Sequence, residues 1–169
     1  MVKVLDVCCG SRMMWIDKHH PDALYVDKRY GKKKMDIGTP STKGRSDCVV
    51  SPDLIADFRN LPFPDNSFYH VVFDPPHIEK KMGKIETGIL PFKYGVLSED
   101  WRDDIAKGFS ECLRVLKPNG TLIFKWCEVE IKLSEVLGLV SCAPLYGHRS
   151  GKKAETHWVA FMKDDGSKK

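Results

Sequence analysis

Short apolar runs divided by turn residues account for most of the chain, and one longer stretch has the periodicity of a helix. Runs of branched and aromatic residues predict strands over 2–7, 23–26, 54–58, 68–73, 121–126 and 156–162, with a possible further strand over 142–146. Apolar residues at three- and four-residue spacing predict a helix from a Ser98 cap to about residue 116. Shorter helices are predicted over 12–19, capped by Ser11, and over 131–139. The last two strands have no helix between them, so a hairpin with antiparallel strands is expected at the end of the chain.

The stretch from Phe68 to His77 carries the first candidate chemistry. The strand must stop at Asp74, because Pro75 and Pro76 cannot donate to a β-ladder. Ligands of open α/β sheets lie at the carboxyl ends of the strands. A carboxylate, proline carbonyls and the His77 ring together suit a planar amine, which the acceptors would hold while the ring stacks. The plainer alternative is a strand followed by a Pro-Pro turn without chemistry.

The first strand and its turn indicate a second candidate site. The strand 2–7 runs into Cys8-Cys9-Gly10, and a tight glycine turn of this kind presents backbone N–H groups to a ligand. Asp27 ends the next strand at a distance along the chain that suits a ribose-binding carboxylate. Asp57 occupies the same kind of position after the third strand.

Length and composition indicate one globular domain over 1–163, followed by a frayed tail over 164–169. The chain has 169 residues, of which 42% are hydrophobic and 30% charged. No apolar run approaches the roughly 18 residues of a membrane span, and the first residues lack the apolar core of a signal peptide. Six cysteines occur without a Cys-x-x-Cys pair, so we expect reduced thiols, no zinc site and a cytoplasmic location.

The formal net charge of +4 permits a polyanionic partner without requiring one. Basic residues concentrate in three loops, Lys32–Lys34, Lys80–Lys84 and Arg149–Lys153. Long loops without helical periodicity are expected over 28–52 and 78–97. The basic loops are either solvated surface or contacts to the phosphates of a nucleic acid. The sequence gives no indication of the oligomeric state.

These residues together resemble the class I S-adenosylmethionine-dependent methyltransferases, over nearly the whole chain. Val4-Leu5-Asp6-Val7-Cys8-Cys9-Gly10 is similar to their first cofactor motif, and Asp74-Pro75-Pro76-His77 to the (Asp/Asn)-Pro-Pro-(aromatic) motif of enzymes acting on planar amine nitrogens. The Asp-Pro-Pro-His motif and Gly-His-Arg-Ser-Gly-Lys-Lys also resemble small phage and bacterial methyltransferases. The resemblance implies an α/β fold with a single Rossmann-like, doubly wound sheet, mostly parallel with an antiparallel C-terminal strand.

The resemblance also implies a role for each site residue. S-adenosylmethionine would be bound by Asp6, Val7, Cys8, Cys9, Gly10, Asp27, Lys28, Asp57, Phe58 and Asp74. The catalytic residues would be Asp74, Pro75, Pro76 and His77, and no metal is expected. Two departures stand out: Cys8 and Arg12 replace the outer glycines of the first motif, and His77 replaces the commoner Tyr, Phe or Trp.

Three functions remain open from the sequence. The first is methyl transfer to an amine nitrogen of a nucleobase in DNA or RNA, with the target base exposed or flipped out of its stack. The second is methyl transfer to an oxygen or carbon of a small molecule, with His77 as general base. The third is a catalytically silent module that binds nucleic acid or the cofactor.

Overall fold

The computed structural model describes residues 2–34, 44, 47–79, 89–151, 153 and 155–166. The strands are β1 (Val4–Asp6), β2 (Ala23–Asp27), β3 (Gly31–Lys33), β4 (Cys48–Val50), β5 (Leu54–Ile55), β6 (Phe68–Phe73), β7 (Leu116–Cys127), β8 (Tyr146–Ser150) and β9 (Thr156–Met162). The helices are α1 (Ile89–Tyr94), α2 (Trp101–Val115) and α3 (Leu133–Leu137).

Seven strands form one sheet in the order β5-β2-β1-β6-β7-β9-β8. The strands β5, β2, β1, β6 and β7 are parallel, whereas β9 is antiparallel to both β7 and β8. The predicted mostly parallel α/β sheet with an antiparallel C-terminal strand is therefore confirmed. Because the parallel strands end at one edge, Asp6, Asp27 and Asp74 come to the same side of the molecule.

The main core lies between α2 and one face of the sheet. Ile105, Phe109, Cys112 and Val115 of the helix are almost fully buried against strand residues that include Phe73. Further strand residues in this core are Leu5, Val71, Leu122, Phe124 and Phe161. The predicted apolar spacing of this helix is thus confirmed.

Two boundaries of α2 differ from the prediction. The helix begins at Trp101, and the Ser98 hydroxyl donates to the Asp104 carboxylate at 2.6 Å instead of capping the backbone. At the other end β7 begins at Leu116, directly after the helix, and residues 117–120, which were predicted as a turn, form an irregularity between Leu116, paired with Phe68, and Thr121, paired with His70.

The predicted helix over 12–19 is wrong, since residues 11–22 form successive turns. Arg12 adopts a left-handed φ of 53°, which a helix does not allow. Its side chain stacks on the Tyr25 ring at 3.8 Å and pairs with Asp53 at 2.8 Å. The Trp15 indole donates to Asp6 at 2.7 Å, so side chains and not helical hydrogen bonds hold the segment.

Other differences concern short elements. The predicted strand over 142–146 is displaced, because β8 spans Tyr146–Ser150. The predicted loop over 28–52 contains the hairpin of β3 and β4, and the loop over 78–97 contains α1. Of the tail predicted over 164–169, residues 167–169 lie outside the described part of the chain. No helix in the described part is long and apolar enough to cross a membrane.

Candidate active site

A cavity of about 300 Å³ opens at the carboxyl ends of the parallel strands. Its wall brings together the first-motif turn and the Asp-Pro-Pro-His segment, which are more than 60 residues apart in the sequence. The predicted site residues that line it are Cys8, Cys9, Gly10, Asp74, Pro75 and His77. Sequence reasoning missed the other lining residues, which include Met14, Arg29, Lys93, Tyr94, Lys125 and Trp158.

The turn after β1 is fixed by backbone bonds to the neighbouring strand. Cys9 N–H donates to the Val26 carbonyl at 2.8 Å, and Gly10 N–H donates to the Asp27 carboxylate at 2.9 Å. Gly10 has a φ of 51°, a conformation in which glycine is favoured, and a side chain there would approach the Lys93 carbonyl of α1 at 3.6 Å. Burial raises the pKa of the Cys8 thiol well above its usual value and that of Cys9 to about 12, so both stay protonated.

Asp6 lies behind this turn and is 1% exposed. Its carboxylate accepts from the Trp15 indole at 2.7 Å and from Cys8 N–H at 3.3 Å. Burial raises the pKa of Asp6 to about 7, the indole bond lowers it, and the charges of Asp74 and Asp27 raise it further. The Trp15 indole and the Cys8 N–H, both uncharged donors, therefore hold the Asp6 carboxylate near the carboxylates of Asp74 and Asp27.

Asp27 is buried and bound on both of its oxygens. The Arg29 guanidinium donates Nε to Oδ1 at 2.9 Å and Nη2 to Oδ2 at 2.8 Å, a bidentate pair. The same guanidinium donates Nη1 to the Phe92 carbonyl of α1 at 2.9 Å. Arg29 therefore joins the predicted ribose carboxylate to the helix that covers this end of the cavity.

The remaining predicted cofactor residues lie outside the lining of the cavity. Asp57 forms a bidentate pair with Arg59, at 3.0 and 2.6 Å, and Phe58 is buried against Phe73 with ring centroids 5.3 Å apart. Lys28 is exposed. Val7 and Asp6 support the turn from within the sheet, and Pro76 packs near Gly95.

Asp74 forms an ion pair that the sequence analysis did not predict. Lys125 Nζ lies 2.6 Å from Asp74 Oδ2, and both side chains are about a quarter exposed. Lys125 also lies 5.7 Å from the centre of the Trp158 ring, its cross-strand neighbour in β9. The signal was a lysine between Phe124 and Trp126, within the apolar run 122–126.

His77 packs between aromatic rings at the floor of the site. Its ring centroid lies 5.8 Å from that of Tyr94 and 6.3 Å from that of Trp126. Burial lowers the pKa of His77, the Asp74 charge raises it, and Lys125 lowers it. A neutral imidazole at neutral pH follows.

Arg12, the other departure from the first motif, turns away from the cavity. Its guanidinium donates to the carbonyls of Lys18 at 2.7 Å and Ser51 at 2.9 Å. The replacement of glycine by Arg12 therefore ties the turn to the edge of the sheet and leaves the cavity free of its side chain.

The basic loops do not converge on the cavity in the part of the chain that is described. Lys32 pairs with Asp47 at 2.9 Å on the β3–β4 hairpin. Arg149 pairs with His157 across β8 and β9, on the face opposite to that of His148 and Trp158. Residues 80–84 and Lys152 lie outside the described residues. Within the described ranges, no cluster of three or more His, Cys, Asp or Glu side chains could hold a metal ion.

Comparison with known proteins gives one weak relative in sequence. The chain is 26% identical over 146 residues to the biotin biosynthesis bifunctional protein BioHC of Saccharophagus degradans, a match that covers 78% of this chain and 22% of that protein. The chain thus spans about a fifth of the length of the curated relative that it matches. No model of a protein family matches the chain.

Solved structures give the stronger likeness. A TehB-like S-adenosylmethionine-dependent methyltransferase from Corynebacterium glutamicum matches with a TM-score of 0.56 and 13% identity, covering 96% of this chain and 80% of that one. The N-methyltransferase NodS of Bradyrhizobium japonicum matches with a TM-score of 0.53 and 12% identity, covering 96% and 86%. The chain therefore has the fold of the class I S-adenosylmethionine-dependent methyltransferases.

Proposed function

We propose that this protein is an S-adenosylmethionine-dependent methyltransferase that acts on an amine nitrogen of a nucleobase in DNA or RNA. The observation that carries the proposal is the shared cavity, in which the turn Cys8–Gly10 meets Asp74, Pro75 and His77. A fold of this class and a structural neighbour named an N-methyltransferase support it. The resemblance of the Asp-Pro-Pro-His motif to small phage and bacterial enzymes, the single domain over 1–163 and the cytoplasmic location stay predictions.

The residues present fit the amino-acid end of the cofactor in the conformation described. The turn after β1 would hold that end through backbone groups, and the cavity beside it is large enough to admit a chain of several atoms. Binding of the nucleoside end requires a side-chain rearrangement. Arg29 donates to both oxygens of the Asp27 carboxylate, which would otherwise accept from the ribose hydroxyls. We infer that Arg29 leaves Asp27 when the ribose binds. When bound, S-adenosylmethionine supplies an electrophilic methyl group.

The acceptor side of the cavity can orient an amine. Lys125 donates a hydrogen bond to Oδ2 of Asp74. We assign Asp74 Oδ1 and the Pro75 carbonyl as the groups that accept from the N–H groups of the acceptor. The Lys125 ammonium fixes the rotamer of Asp74 through this 2.6 Å ion pair, so Lys125 acts as a positioning residue. Orientation of this kind, more than a strong base, would supply the rate enhancement.

A second candidate rests on His77. Its ring is half-buried, neutral at neutral pH and adjacent to Asp74, and such an imidazole can remove a proton from an oxygen or carbon acceptor. His77→Phe separates the two candidates, since phenylalanine preserves stacking and abolishes proton transfer. A folded, active Phe variant supports the amine acceptor, and a folded, inactive variant that still binds the cofactor supports the base.

The test of the proposed function is transfer of a radiolabelled methyl group to host DNA, total RNA and a small-molecule extract. Asp74→Ala is expected to lower turnover by about a hundred-fold, far more than it weakens cofactor binding in calorimetry. Asp22→Ala is the matched control, because Asp22 is an exposed aspartate paired with Lys3 at 3.2 Å. Label in neither nucleic acid, together with absence of cofactor binding, would refute the proposal.

A further inference from the structure

A groove of about 360 Å³ lies on the face of the sheet opposite α2. Its floor is formed by Val72, Ile123 and Ala160, and its walls by aromatic side chains. Those rings are Trp15, His70, Tyr146, His148 and Trp158. In the described part of the chain no helix covers this face, because residues 11–22 form turns. Tyr146 is consequently 71% exposed.

The groove is continuous with the candidate active site. Met14 and Trp158 line both. Across the strands, Lys125 of β7 pairs with Trp158 of β9, and Trp158 pairs with His148 of β8. The row of Lys125, Trp158 and His148 begins at the ion-pair partner of Asp74 and ends at the edge strand β8, two strand spacings or about 10 Å away.

Its rings are held in place from outside the groove. The Trp158 indole donates to the Ser150 hydroxyl at 3.1 Å, and Lys125 lies 5.7 Å from the Trp158 ring centre. Tyr146 is anchored through its backbone, since it pairs with Ala160 at the start of β8. The groove therefore presents positioned aromatic faces next to a cation, and no carboxylate is among the described residues that line it.

We propose that this groove binds an unpaired nucleobase adjacent to the methylated one, so that the acceptor is single-stranded nucleic acid. The inference rests on the proposed function and narrows its substrate. Every base has a π-face, and stacking on aromatic side chains is how proteins hold single strands whatever their sequence. A stable protein partner would need roughly 800 Å² on each side, more than a groove bounded by nine residues provides.

The test uses the binding of fluorescently labelled oligonucleotides by the full chain, measured by anisotropy. The probes are an eight-residue oligothymidylate, the matching oligouridylate and an abasic phosphodiester of the same length. Tyr146→Ala is expected to weaken binding of the two base-containing probes by about five- to a hundred-fold and to leave the abasic probe unaffected. Tyr146→Phe should retain the parent affinity, because it keeps the ring.

The matched control is Tyr69→Ala, which removes a tyrosine that is 55% exposed and packs under Lys117 at 3.8 Å. Tyr69 precedes His70 in β6 and so projects to the other face, and its loss should change nothing. Parent-like affinity in Tyr146→Ala, an equal loss for the abasic probe or absence of oligonucleotide binding would overturn the proposal. A change from dimer to monomer in Tyr146→Ala, seen by sedimentation with oligonucleotide affinity unchanged, would also overturn it in favour of a contact between two copies.

Failure of this proposal is distinguishable from failure of the proposed function. Calorimetry with S-adenosylmethionine does not require the groove, and oligonucleotide binding does not require methyl transfer, so each proposal has a readout of its own. Tyr146-dependent oligonucleotide binding without methyl transfer would support the groove and refute the activity. Methyl transfer to nucleic acid that is unchanged in Tyr146→Ala would support the activity and refute the groove.

Discussion

Asp6→Asn is expected to abolish a pH dependence of stability that the buried carboxylate of Asp6 creates. Burial raises the pKa of Asp6 in the folded protein to about 7, against a usual value of 3.8. Between these values the native state binds more protons than the unfolded state, so stability falls as pH rises from about 4 to about 7 and is level above. Raising the pKa of Asp6 from 3.8 to about 7 corresponds to at most about 4 kcal/mol of unfolding free energy. Asparagine keeps an acceptor for the Trp15 indole and carries no charge.

The assay is urea unfolding of parent and variant at four values between pH 4.5 and 8, followed by circular dichroism. As pH rises across this range, the parent should lose up to about 3 kcal/mol of unfolding free energy relative to the variant. Taking the difference removes the opposite contributions of His70 and His77, whose pKa values burial lowers. Asp22→Asn, an exposed aspartate, should show a change below about 1 kcal/mol. A difference for Asp6→Asn that stays constant with pH would show that Asp6 is ionised in the folded protein at all these values.

Three further substitutions test other parts of the argument. Asp27→Ala should lower the unfolding free energy by about 3 kcal/mol in thermal or urea unfolding, because it leaves the Arg29 guanidinium without its buried partner. It should also weaken cofactor binding in calorimetry, and parent-like values of both quantities would remove Asp27 from the site. Lys125→Met should lower turnover with unchanged cofactor affinity, and Lys125→Arg should retain part of the turnover that Lys125→Met loses. Equal turnover in the parent and both variants would exclude a positioning role for Lys125. Gly108→Ala should lower the unfolding free energy by about 1–3 kcal/mol, since the new methyl group would lie 2.6 Å from the Phe73 ring. Ser110→Ala, on the exposed face of α2, should leave the unfolding free energy unchanged or raise it. A Gly108→Ala variant as stable as the parent would contradict the packing of α2 on the sheet.

The apolar runs and one periodic helix predicted most of the sheet strands and the buried face of α2, and the resemblance to a known family implied how they assemble. Strand residues such as Val71, Val72 and Phe73 form a continuous buried run, and Pro75 limits where that run can pair. Ile105, Phe109 and Cys112 define the buried side of α2 through spacing alone. These signals are local, and the carboxyl-end rule then brings Gly10 and Asp74 to one edge without any knowledge of the tertiary contacts.

The tertiary structure decided what no local signal carries. Arg12 has an ordinary sequence context for a helix, yet contacts with Tyr25 and Asp53, formed only after β2 and β5 pair, hold it in a left-handed turn. Arg29 reaches Asp27 two residues earlier and a helix carbonyl 63 residues later, so its hold on the ribose carboxylate depends on where α1 packs.

Lys125 contacts Asp74, and Trp158 lies beside Lys125, because the register of β6, β7 and β9 aligns them. The sequence by itself therefore determined most strands of the main sheet, the buried face of α2 and the edge at which the candidate site lies. Only the three-dimensional packing decided which charges are paired there and which face of the sheet is left without a helix among the described residues, because both depend on contacts between residues far apart in the chain.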